Sequence, residues 1–161
     1  MREYSTEKST TKKTDLFFKY YSSTRDSIPE MIIGLVKVLN LFKKNKDLTG
    51  IAIVNLVISD KYSAIGDYTN CLRYGIASLK NFEDAKDSLG IMRSLFLIGN
   101  SLVFTKNFEQ ALVYLKRAIA SSKNTGGITY ADNLNTAAYC MIMLKKPDSA
   151  FAYVKPAISI G

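Results

Sequence analysis

Residues that commonly carry out chemistry are few in this chain, and they are scattered. There are two cysteines, Cys71 and Cys140, and no histidine in 161 residues. Two thiols without an imidazole do not make an ordinary tetrahedral zinc site unless carboxylates or a second chain complete it. Cys140 lies in the apolar run AAYCMIML, and Cys71 falls where related segments of the chain carry alanine. Both read as small buried hydrophobes rather than nucleophiles. The carboxylates Glu83 and Asp84 are adjacent, so on a helix they point to different faces and cannot share a substrate. No Gly-rich phosphate loop, serine elbow or HExxH pair occurs. The sequence therefore nominates no catalytic, cofactor-binding or metal-ligating residue, and an enzyme is not expected.

Charge is the other candidate chemistry. The net charge is +8, and the cations come in short pairs: Lys12-Lys13, Lys43-Lys44, Lys116-Arg117 and Lys145-Lys146. A phosphate track needs cations along one stripe. Here Lys43, Lys44, Lys145 and Lys146 fall near expected helix C-termini, where cations offset the macrodipole. A nucleic-acid partner is not expected. Apolar runs are only a handful of residues long, too short to span a bilayer. The first residues, MREYSTEKSTTKKTD, hold no apolar signal core, so the expectation is a cytoplasmic location without membrane insertion.

The elements that must position these residues are set by a repeat. Shifting the chain by 40 places Gly66–Phe82 on Lys106–Ser122, and Asp26–Gly50 on Gly66–Gly90 without a gap. A further shift of 39 carries Ala111, Leu112, Tyr114, Ala118 and Ile119 onto Ala150, Phe151, Tyr153, Ala157 and Ile158. A fixed period in this range marks a stack whose units bury their apolar faces only against neighbours. Nine glycines and three prolines are too few for a loop-rich β fold.

Start and stop signals recur at one phase of the repeat. Ser27 with Glu30 has capping-box spacing, and Pro29 suits a first turn. Asp47, Asp67, Asp87 (or Ser88) and Asn107 are the expected caps of successive helices, Asn107 pairing with Gln110, and Pro147 opens the last. Helices are therefore expected at 13–24, 28–45, 48–65, 68–84, 88–105, 108–123, 129–144 and 148–159. Residues 1–12 are expected to fray, Gly126-Gly127 to form the loosest joint, and Pro156 to kink or shorten the last helix. No linker divides the chain, so 13–161 reads as one domain with repeats at 13–46, 47–86, 87–126 and 127–161.

The third repeat, LFLIGN followed by KNFEQALVYLKRAI, resembles a tetratricopeptide repeat. It has the small residue Gly99, the turn at Lys106-Asn107-Phe108, the pair Ala111-Leu112, then Tyr114 and Ala118. The second repeat keeps Tyr62, Gly66-Asp67-Tyr68, Cys71-Leu72, Tyr74 and Ser78. The fourth keeps Ala138, Ala150-Phe151, Tyr153 and Ala157. The first is degenerate, with Met31 and Gly34 at the positions of Cys71 and Tyr74. The resemblance spans about residues 13–160. It implies an all-α, right-handed α-solenoid, a superhelix of about four antiparallel helix pairs. The period of 39–40 exceeds the usual 34 of that family. It resembles the long repeats of bacterial signalling proteins, in which the array is fused to a kinase or a helix-turn-helix effector. Gly99, Ala138, Ala111, Ala150 and Ala118 are the small positions at which helices should approach closely.

The resemblance further implies that the first helix of each pair lines a concave groove. The groove candidates in repeat one are Leu16, Tyr20 and Ser23. In the later repeats they are Ile53, Leu56, Asp60, Arg93, Phe96, Asn100, Phe104, Asn135, Tyr139 and Met143. Apolar and aromatic side chains with a few polar ones suit a peptide or a partner helix. The chain departs from the subclass that captures a peptide carboxylate with Lys and Asn. Only Asn100 matches; Leu56, Phe96 and Asn135 stand where cations are needed, and Asp60 would repel the anion. The expected function is thus a protein-interaction module without cofactor. The alternatives are a sensor or regulatory segment of a larger signalling protein and an oligomerisation module. The last helix carries Phe151, Val154 and Ile158 on a face with no following helix in the sequence given, so two-fold self-association is expected there.

Overall fold

The computed structural model describes residues 27–122 and 127–158. The expected helix at 13–24, with Leu16, Tyr20 and Ser23, lies outside the described residues. Seven helices follow in order: α1 (Ile28–Lys44), α2 (Leu48–Ala64), α3 (Tyr68–Ala85), α4 (Ser88–Phe104), α5 (Phe108–Ser122), α6 (Gly127–Met143) and α7 (Pro147–Ile158). Among the described residues there is no strand. The fold is all-α, with α1 packed on α2, α2 on α3, α5 on α6 and α6 on α7. That is the packing expected of an α-solenoid. Two compact units divide at Ser94/Leu95, inside α4.

Helix ends agree with the caps to within about two residues, because one turn design recurs. The Asp47 N–H donates to the Phe42 carbonyl at 3.0 Å, and the Lys46 N–H to Lys43 at 3.1 Å. The same two bonds recur at Gly66-Asp67, Lys86-Asp87, Lys106-Asn107 and Lys145-Lys146. Together they form a Schellman motif, which needs a left-handed residue at its corner. The φ values there are 55°, 76°, 55°, 60° and 58° at Lys46, Gly66, Lys86, Lys106 and Lys145. Four of these five corners therefore hold a side chain in a conformation that favours glycine.

Three of the residues that close these turns also open the next helix. Asp47 accepts the Gly50 N–H at 2.8 Å, and Asp67 the Asn70 N–H at 3.0 Å. Asp87 accepts from Leu89 at 3.0 Å and from Gly90 at 3.1 Å. The Asn70 backbone N–H and then its side-chain amide hold the Asp67 carboxyl below its ordinary value. A depressed carboxyl keeps its contribution at neutral pH and loses it only as acid protonates the folded form. Glu30 accepts the Ser27 hydroxyl at 2.8 Å and the Ser27 N–H at 3.1 Å, the reciprocal half of a capping box. Asn107 departs from expectation: it directs its amide to Thr105 Oγ1 at 3.1 Å. Gly127, expected in a loose joint, opens α6, and α7 runs through Pro156 to Ile158. Only two residues follow Pro156, so the bond it cannot make belongs to the frayed last turn.

The small positions lie at helix crossings. Ala111 and Ala118 are fully buried, and Ala138 and Ala150 nearly so. A Cβ on Gly99 would stand 2.9 Å from the Leu115 side chain, which fixes the approach of α4 to α5. Polar ties cross the first unit. Ser78 Oγ donates to the Ala52 carbonyl at 2.9 Å, and Ser59 Oγ to that of Cys71 at 2.8 Å. Tyr62 stacks on Tyr74 with ring centroids 5.6 Å apart.

Gly50 and Gly90 sit one turn past their caps, against the rings of Phe42 and Phe82. Phe82 is fully buried and cannot swing away. In an open helix Gly→Ala stabilises by about 1 kcal/mol; here Gly90→Ala should instead destabilise by about 1–3 kcal/mol through overpacking. Lys86→Gly, which relieves the left-handed corner, should stabilise by about 0.5–1 kcal/mol. Urea unfolding midpoints of the two variants measure both signs.

Candidate functional site

In the second unit α4 and α6 leave a groove between them that encloses about 530 Å³. One wall is Asn100, Val103 and Phe104 on α4. The other is Asn135, Thr136, Tyr139 and Met143 on α6, with Lys106 and Phe108 at the turn into α5. The spacing follows from the helix: residues 100, 103 and 104, like 135, 139 and 143, recur at three- and four-residue steps and share one face. The wall on α6 is about 12 Å long at 1.5 Å per residue.

Its surface is apolar with an amide at intervals. Phe104 is 62% exposed, Tyr139 47% and Met143 45%. Phe108 meets Tyr139 edge to face, with centroids 6.1 Å apart, and so holds that ring upright at the rim. Thr136 donates its hydroxyl to the Asp132 carbonyl at 2.8 Å, within its own helix. Asn100 is half-buried and Asn135 exposed, both with amide groups available to a ligand's backbone. Among the described residues Lys106 is the only cation lining this groove.

Of the ten expected groove residues, Asn100, Phe104, Asn135, Tyr139 and Met143 lie together here. Phe96 is half-buried in the same unit and does not line it. Ile53 and Leu56 are corrected by the structure: both are fully buried. The physical reason is that Ala52–Ser59 of α2 are buried on every face; a helix apolar all round is a core helix, not a groove wall. Asp60 pairs with its neighbour Lys61 at 3.2 Å, and Arg93 is half-buried in the first unit. Of the residues expected to self-associate, Phe151 is 68% exposed and Val154 half-buried; the side chain of Ile158 lies outside those described.

Lys106, Phe108 and Thr136 were not anticipated as groove residues. Phe108 reads from sequence as a packing aromatic, because it follows a cap at the position where Tyr68 stands one period earlier. Its rim position becomes visible only once α4 and α6 are placed. Among the described residues no cluster of Cys, Asp or Glu could hold a metal ion, and no helix is long and apolar enough to cross a membrane. No family model matches the chain, and no curated protein matches it.

Both cysteines are free and buried. Burial pushes the Cys140 thiol from 9.0 to about 11, against a smaller opposing backbone hydrogen bond. The neutral thiol is favoured by the fold, so the stability it brings is full below pH 9 and is lost as pH rises toward 11. Native Cys140 should therefore react with iodoacetamide at pH 8 about a hundredfold more slowly than in guanidinium chloride. Peptide mapping of the alkylated chain reads that ratio.

Proposed function

We propose that this chain is a tetratricopeptide-type recognition module whose second unit binds an apolar peptide or partner helix in the groove between α4 and α6. The observation that carries the reading is the meeting of Phe104, Tyr139 and Met143, all exposed, with the amides of Asn100 and Asn135 in one trough. Large apolar side chains that stand together in water commonly mark a binding surface. Aromatic anchors ringed by amides suit a partner that brings its own apolar side chains and an unsatisfied backbone. A wall of about 12 Å matches roughly two helical turns or four extended residues of ligand. Helical packing of consecutive elements, small residues at the crossings and a 40-residue period support the family reading. A fused regulatory effector is compatible with such a module, as is a cytoplasmic setting.

A displayed-peptide library panned against the chain should yield ligands with two apolar side chains one turn apart. Replacing both Phe104 and Tyr139 with Ala should weaken a selected ligand by at least about tenfold with the helical circular dichroism unchanged. Unchanged affinity would place the binding surface elsewhere.

A second reading rests on Phe151. An exposed Phe on a helix whose neighbour Ala150 is buried against the fold favours self-association through α7. Sedimentation at micromolar concentration should then show a dimer that Phe151→Asp converts to monomer.

A further inference from the structure

The first unit carries a trough of different chemistry from the groove described above. It encloses about 490 Å³ between α1 and α3, with α2 as its floor. Val36, Leu39, Asn40 and Lys43 come from α1, Ile51 and Asn55 from α2, and Arg73, Tyr74, Ala77 and Asn81 from α3. Among the described residues no carboxylate lines it. Two cations and three amides do.

Asn55 is the decisive residue. It is only 5% exposed, and what exposure it has is to this trough. No hydrogen bond holds its side chain. Its amide opens onto the trough and keeps its hydrogen-bonding capacity for a group that enters there. Its neighbours on α2 are Val54 and Leu56, fully buried core residues, and packing alone would have been better served by another apolar side chain.

The rest of the trough supplies the complementary groups. Arg73 is held over the Tyr74 ring with Cζ 4.7 Å from its centroid, and Tyr74 is itself stacked on Tyr62. The guanidinium is thus oriented before any ligand arrives. Asn81 donates its Nδ2 to the Ala77 carbonyl at 2.9 Å, which leaves its carbonyl oxygen to accept from a ligand N–H. Each short turn reverses the chain, so α1 and α3 run in the same direction. Lys43 therefore stands toward the Asn81 end and Arg73 toward the other, about 15 Å apart along the axis at 1.5 Å per residue. About four or five residues of extended chain span that distance.

We propose that this trough binds an extended acidic peptide segment. Its backbone amide groups pair with Asn55 and Asn81 on the floor and rim, and two of its carboxylates meet Lys43 and Arg73 at the ends. A nucleic-acid strand is disfavoured because it would need a run of cations, and only two line the trough. The site is independent of the apolar groove, so either can fail without the other.

Fluorescence anisotropy of the whole chain with a labelled, end-blocked hexaglutamate peptide tests it, with the matching hexaglutamine peptide as reference. Hexaglutamate should bind at least about tenfold more tightly, and Arg73→Gln and Lys43→Gln should each remove about tenfold, one charge-assisted hydrogen bond's worth. Lys116→Gln, the same charge change on exposed α5, should leave binding unchanged. Asn55→Leu should weaken binding with the melting midpoint held, because the amide faces the trough rather than tying α2 to its neighbours; Asn55→Asp should abolish binding by repulsion. Equal binding of the two peptides overturns the proposal, as does an equal loss for Lys116→Gln and Arg73→Gln. Displacement of the peptide by oligothymidine at equal or lower concentration overturns it in favour of a phosphate backbone.

Discussion

Everything described in this molecule depends on reversing a helix in two or three residues. A helix that ends in water can fray, but one whose last carbonyls face the first N–H groups of its successor must satisfy both sets at once. The Schellman pair at each corner takes the carbonyls, and the aspartate that closes it takes the N–H groups that follow. Asp47, Asp67 and Asp87 each do both. The reversal leaves no slack, so the distance between adjacent helices is set by what lies beneath the turn. That is why Gly50 and Gly90 face phenylalanine rings and why Gly99 admits Leu115.

Much of this frame is written locally. Caps, corner residues and small positions are properties of a few consecutive side chains, so helix ends such as Lys44, Ala85 and Ser122 lie close to where the sequence places them. The period of 40 carries the rest, since a feature found at Asp67 can be sought at Asn107. Even there chemistry differs at equal positions: Asn107, with a carboxamide in place of a carboxylate, turns back to Thr105.

The grooves are less legible because they depend on which helix faces stay uncovered. Ile53 and Phe104 both lie on first helices of their repeats, yet one is fully buried and the other mostly exposed. The difference lies in the stretch Ala52–Ser59 of α2, which is buried throughout, and not in the residue itself. Phe108 and Asn55 fail in the opposite sense. Each looks like filler when read along the chain, and each takes its meaning from neighbours on other helices: Tyr139 for the first, Arg73 and Asn81 for the second. The two troughs differ in kind, one aromatic and one built of amides and cations, although they stand on a single repeat pattern.

The tight reversal also limits how such a chain can change in length. One residue inserted into a helix rotates everything beyond it by about 100°, turning buried alanines outward. One residue added at a corner separates the left-handed lysine from the aspartate that must follow it. Neither error can be absorbed by a loop, because these corners contain none. Growth or loss is therefore tolerated only in whole helix hairpins of about 40 residues, which preserve every corner, crossing and cap together. The mutational route open to this architecture is duplication followed by divergence of the faces left uncovered.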